Sequence, residues 1–199
     1  MQSISTIGLD IAKSVFQVHG VDAAGQVVVR RQLRRQHVLA FFQKLQPCLV
    51  GIEACASSHH WSRELQALGH MVRLMPPAYV KPYVKRQKND TTDAEAICEA
   101  VTRPNMRFVP TKTIEQQGCL MLHRARHLFI RQQTAVINSI RAYLAEFGIV
   151  APVGRRGVEQ LLEVVADEAD YRLPEVARAC LAALGSRLRA LKAQILEFD

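Results

Sequence analysis

The chain opens with three short runs of strand-type residues. Ile4–Leu9 (ISTIGL) is rich in β-branched side chains and is followed by Asp10. Ser14–Val21 (SVFQVHGV) and Gln26–Leu33 (QVVVRRQL) come next, with turn residues Asp22 to Gly25 between them. Such a turn between two strand-type runs predicts a hairpin. Over His37–Leu45 the period changes: Val38, Phe41, Phe42 and Leu45 recur at i, i+3, i+4 and i+7, one face of a helix. Cys48–Glu53 (CLVGIE) is a brief apolar strand that again ends in a carboxylate. A helix over Ser58–Leu68 stops at Gly69, and a fifth strand, Met71–Met75, is closed by Pro76 and Pro77.

Hairpin-linked strands followed by helix–strand–helix–strand predict a mixed α/β sheet whose later strands pair in parallel. This is the element order of the ribonuclease H-like fold. Beyond Pro110 the pattern turns helical. Met121, Ala125, Leu128, Gln132, Val136, Ile140, Tyr143 and Phe147 form a stripe in steps of three and four within Gln116–Phe147. Ala151–Gly157 reads as a loop and Val158–Asp167 as a short helix. Cys180, Leu184, Leu188, Leu191, Ile195 and Phe198 continue the same steps after Val176. The expected organisation is a sheet domain over residues 1–110 and a helical hairpin or coiled coil over 111–199. The last helix reaches Asp199 without a stop signal, which reads as a chain cut short.

With 49% hydrophobic residues and 10 Gly in 199 positions, the composition excludes a disordered or collagen-like chain. No run approaches the ~18 apolar residues of a membrane span, and Asp10 and Lys13 break the plan of a signal peptide, so a cytoplasmic location is expected. The five cysteines are odd in number and lack C-x-x-C spacing, which argues against disulfides and structural zinc. The net charge of +8 points to a polyanionic partner, nucleic acid by default.

The acids give that partner a chemistry. Asp10 and Glu53 end two strands that are neighbours in the expected sheet, where ligands of open sheets bind. Asn89–Glu95 opens a helix in which Thr92 and Glu95 fit a capping box. Its apolar face, Ala94, Ile97, Cys98 and Val101, extends backward onto Asp90 and Asp93, placing both on the packed side and Glu95 and Glu99 on the wet side. Four carboxylates at ~5 Å and an effective dielectric of ~20 would repel by about 3 kcal/mol per pair, so a convergent cluster needs cations. All-oxygen ligands select Mg²⁺ or Mn²⁺, and two such ions stabilise the attacking and leaving oxygens of a phosphodiester displacement.

At these residues the sequence resembles the DEDD transposases of bacterial insertion sequences, whose N-terminal domain is RuvC-like. The matching segments are Gly8-Leu9-Asp10-Ile11-Ala12-Lys13, Gly51-Ile52-Glu53-Ala54 with His59-His60-Trp61, and Arg73-Leu74-Met75-Pro76-Pro77 with Val80-Lys81-Pro82-Tyr83. Lys88-Asn89-Asp90 through Ile97, and Asn138 with Ala145–Ile149, complete the likeness. The resemblance implies that Asp10, Glu53, Asp90 and Asp93 are catalytic, hold two Mg²⁺ or Mn²⁺ ions, and cut DNA strands in transposition. It also implies a bacterial, nucleoid-associated protein, homo-oligomerisation through a coiled coil, a structured guide (bridge) RNA, and a further serine-bearing C-terminal domain outside this sequence.

Lys13, Lys81, Tyr83, Lys85, Arg86 and Lys88 are the candidate nucleic-acid contacts, cations and an aromatic beside the acidic positions. Arg30, Arg31, Arg34 and Arg35 serve equally as a nucleic-acid contact or as a solvated strand edge. His59 and His60 pack, cap, or touch the acids through Glu53. Two rivals to a metal-dependent recombinase stand. A non-catalytic nucleic-acid-binding or dimerisation module would bind with steep salt dependence and never cleave. An actin-like ATPase shares Gly-Leu-Asp-Ile but needs a second Gly-rich phosphate loop, which the sequence lacks.

Overall fold

The computed structural model describes residues 3–84 and 90–198, without the side chains of residues 90 and 91. Five strands, β1 (Thr6–Ile11), β2 (Val15–Val21), β3 (Val27–Arg34), β4 (Leu49–Glu53) and β5 (Met71–Met75), form one sheet in the order β3-β2-β1-β4-β5. β1–β2 and β2–β3 are antiparallel hairpins, whereas β1–β4 and β4–β5 are parallel. This is the mixed, ribonuclease H-like sheet that the order of hydrophobic runs predicts. The first strand runs two residues further than its β-branched run, so Asp10 is its penultimate residue.

Strand alternation divides the side chains between two faces. Ile7, Leu9, Phe16, Val18, Val50 and Ile52 point one way, into a core with Val38 and Phe42 of α1 (Val38–Phe42) and Trp61 and Leu65 of α2 (Ser58–Ala67). Gly8 and Gly51 point the other way, beneath α4 (Asp90–Ala100), after a short α3 (Pro77–Val80). A Cβ on Gly8 would stand 2.0 Å from the carbonyl oxygen of Ala94, and one on Gly51 2.7 Å from Cβ of Val101. Glycine at both positions lets the helix lie directly on the backbone of the two central strands. Ala96, Ile97, Ala100 and Val101 fill this second core with Met75 and Val80.

The helix begins at Asp90, so Thr92 lies inside its first turn rather than at its cap. Glu95 also departs from the expected wet face. It is half-buried and pairs with Arg30 of β3 at 3.8 Å, because β2 and β3 extend under that flank of the helix.

The chain divides into two compact units, Met1–Ile114 and Glu115–Asp199. The end of the first is a strap. Val109 hydrogen-bonds Leu74 across the outer edge of β5, and the Ser62 and Thr111 hydroxyls lie 2.7 Å apart. Arg63 donates to the carbonyl of Lys112 at 2.7 Å.

In the second unit, α5 (Ile114–Ala145, beginning one residue before the unit), α6 (Arg155–Ala166) and α7 (Glu175–Leu196) pack together. Ile140 and Leu144 of α5 meet Val158, Leu161 and Val165 of α6 and Leu181 and Leu188 of α7. The helical stripes hold only in part. Met121 is 70% exposed, Leu128 and Tyr143 are also exposed within their unit, and Leu181 rather than Cys180 fills the core. The expected loop over Ala151–Gly157 ends early, since Arg155–Gly157 form the first turn of α6.

Candidate metal and nucleic-acid site

Parallel pairing of β1 with β4 builds the centre of the site. The register Gly8↔Gly51 and Leu9↔Ile52 leads, one residue on, to Asp10 and Glu53 on adjacent strands, which run ~4.8 Å apart. Both lie two residues beyond the glycines, so both side chains project toward the α4 face. They are half-buried at the carboxyl end of the sheet.

Cys55 reports their joint field. Cys55 is exposed, yet its thiol is pushed above the usual range, first by the desolvation of its surroundings and then by the negative charges of Glu53 and Asp10. Asp10 and Glu53 put carboxylate oxygens at this end of the sheet. That donor set suits hard divalent cations. Nothing in the spacing of Cys55 marked it in advance; its place follows from the turn after β4, where its amide donates to the Glu53 carbonyl at 2.8 Å.

Asp93 is half-buried at the start of α4, immediately before the Ala94 that rests on Gly8. It sits on the flank shared with Ile97 rather than directly over β1. Among the described residues no three His, Cys, Asp or Glu side chains form a group able to hold a metal ion, so Asp10, Glu53 and Asp93 are not gathered on one point. The side chain of Asp90, and Lys85, Arg86 and Lys88, lie outside the described residues.

The remaining candidates are placed as follows. Lys13 is exposed in the β1–β2 turn and Lys81 is exposed after α3. Tyr83 is half-buried against the α4 core, with the Arg103 guanidinium 5.9 Å from its ring centre, so it packs more than it presents a face. Tyr79 is 45% exposed and lines a cavity of about 420 Å³ with Pro82, Tyr83, Arg103 and Arg107. His59 belongs to the strap: its Nδ1 accepts the Lys112 amide at 3.1 Å. His60 lies 3.8 Å from Glu64, one helical turn on.

A family model for DEDD transposases of the IS110 type, described as a transposase, matches residues 7–149. This stretch runs from β1 through the buried end of α5. The chain belongs to the IS110 family of DEDD transposases. It is 50% identical over 198 residues to a protein of Pseudomonas aeruginosa named a probable family 20 transposase, covering 99% of this chain and 59% of that protein. A transposase of Sinorhizobium fredii, y4pF/y4sB, is 49% identical over 199 residues, 51% of its own length. The transposase for insertion sequence element IS1328 of Yersinia enterocolitica is 36% identical across the whole chain, 59% of its length. The IS110-type chain thus spans between half and three-fifths of these relatives. Among its described residues, no helix is long and apolar enough to cross a membrane.

Proposed function

We propose that this chain is the DNA-cutting half of an IS110-type transposase, with Asp10, Glu53, Asp90 and Asp93 as its catalytic and metal-holding residues. The observation that carries the reading is the parallel β1–β4 pair, which sets Asp10 and Glu53 side by side on the face covered by α4. Asp93, in the first turn of that helix, is half-buried, and Asp90 is assigned with it from the sequence. Two Mg²⁺ or Mn²⁺ ions bound among these carboxylates would neutralise the developing charge of a phosphodiester displacement. The chain's own acids would hold these ions, and its net charge of +8 draws the DNA. Lys13, Lys81, Tyr83, Lys85, Arg86 and Lys88 are assigned to the nucleic acid, either the DNA or a structured guide RNA. Exposed Met121, Leu122 and Leu128 on α5 favour self-association through the helical unit.

The test is Mn²⁺ binding followed by calorimetry, with nicking of a labelled DNA junction alongside. Asp10→Asn and Glu53→Gln should each weaken Mn²⁺ at least tenfold and abolish metal-dependent nicking while DNA binding survives. Undiminished nicking in Asp10→Ala and Asp90→Ala would reject the assignment. DNA binding with a steep salt dependence and no nicking under any divalent metal would instead favour a non-catalytic binding module.

A further inference from the structure

A second basic feature lies at the same end of the sheet as Asp10, and the acids do not account for it. Lys13, Ser14, Val15, Arg34, Arg35 and Gln36 line a cavity of about 530 Å³ where the β1–β2 turn meets the end of β3. Pairing of Val15 with Arg34, and the Arg35 amide bonded to the Ser14 carbonyl at 3.0 Å, hold the two walls together. Three of the six lining residues are cations and none is acidic.

Arg35 is the fixed member. Its guanidinium carbon stands 5.1 Å from the ring centre of Trp61 and 5.8 Å from that of Phe16. Those two rings are themselves buried and packed edge-to-face at 4.9 Å. Stacking on aromatic rings orients a guanidinium while leaving its N–H groups free for the oxygens of an anion. None of those N–H groups meets an acceptor among the described residues. Contrast Arg30, which is occupied by Glu95, and Arg178, which donates to four carbonyls at the end of α6. A pre-oriented arginine with two further cations around a cavity, and no carboxylate among its described lining residues, is a receptor for phosphate oxygens.

We propose that the Lys13–Arg34–Arg35 cavity holds a backbone phosphate of the nucleic acid strand that enters the acidic site. This rests on the reading of the chain as a nucleic-acid-cutting protein and adds where the strand is gripped: beyond the carboxyl end of β1, with Arg35 as the anchor. The phosphodiester of DNA and that of RNA offer the same chemistry, so both serve as probes.

The experiment uses the full chain, with a fluorescein-labelled DNA duplex and an RNA duplex of equal length, by anisotropy in EDTA between about 0.05 and 0.3 M salt. Each phosphate contact contributes about 0.9 to the salt slope on B-DNA. Arg35→Gln and the double variant Lys13→Gln/Arg34→Gln should lower that slope by about one to two and weaken binding roughly tenfold at 0.15 M salt. Arg189→Gln, on the surface of α7, should change neither. The double variant alters only exposed side chains, so it reads the site even if Arg35→Gln loses structure with its stacking contact. Loss on DNA alone or RNA alone identifies which strand the cavity grips.

Unchanged slopes in both variants, with wild-type binding intact, would overturn the phosphate site and leave the proposed function standing. Absence of any wild-type binding would overturn both. Equal nucleic-acid binding by all variants, with an inorganic phosphate titration perturbing only the wild-type NMR spectrum, would overturn the backbone assignment in favour of a small-anion site.

Discussion

Replacing Gly8 by alanine is the sharpest probe of how α4 is seated. The added Cβ would fall 2.0 Å from the Ala94 carbonyl oxygen, 2.4 Å from the Cys98 nitrogen and 2.8 Å from the Cys98 Cβ. Two of the three obstacles are backbone atoms, which no rotamer change can move. Ordinary contact begins near 3.4 Å, so the helix must retreat by more than 1 Å. A gap of about 0.5–1 Å forfeits a quarter to a half of the dispersion well between facing atoms. The face that loses contact carries Ala96, Ile97, Ala100 and Val101, all essentially buried. Overpacking of this kind costs about 1–3 kcal/mol, and with backbone as the obstacle the upper end is expected, about 3 kcal/mol. Gly51→Ala makes a useful comparison. Its Cβ meets only the Val101 side chain, at 2.7 to 3.1 Å, and should cost about half as much. Urea unfolding followed by circular dichroism measures both. Equal stabilities for Gly8→Ala and the wild type, or a greater loss for Gly51→Ala, would refute the seating of α4 on β1.

Four further outcomes are expected. Iodoacetamide at pH 8 should modify exposed Cys119 and Cys180 first and spare Cys48 and Cys98, whose thiols burial raises to about 11. Cys55 should react slowly, and Asp10→Asn or Glu53→Gln should speed it about threefold, because removing a neighbouring negative charge lowers a thiol's pKa and increases its thiolate fraction; an unchanged rate by mass spectrometry contradicts their proximity. Leu144→Ala should cost about 2–5 kcal/mol in denaturant unfolding, whereas Met121→Ala should lie within about 0.5 kcal/mol, since only Leu144 is in the helical core. Ser62→Ala should cost about 1 kcal/mol by stranding the Thr111 hydroxyl, and faster proteolysis near the strap would accompany it; a silent substitution would show that the strap is not held there.

Much of this molecule is written locally. Alternating runs set the strands, the three-and-four spacing set the helices, and Gly69 and Pro76–Pro77 marked where two of them stop. The order of those elements, with the acids at strand ends and at the start of a helix, made the mixed sheet and the acidic candidates legible. Local pattern also misled where partners decide the outcome. The stripe from Met121 to Phe147 is mostly apolar, yet Ile140 is buried within its unit while Met121, Leu128 and Tyr143 are exposed. Periodicity records which residues share a face and is silent on whether anything covers it.

The sequence by itself determined the periods, the turns and the charges of this IS110-type chain, because those depend on residues a few positions apart. Only the tertiary structure decided the β1–β4 register, and hence that Asp10 and Glu53 point to the same side, and that α4 covers that side. It alone moved Glu95 from water to Arg30, brought Cys55 into the field of two carboxylates, and laid Arg35 on Trp61. Arg30 and Glu95 stand 65 positions apart, Asp10 and Cys55 45, and Arg35 and Trp61 26. Those outcomes follow from the strand register and the closeness of packing, which no short window of sequence contains.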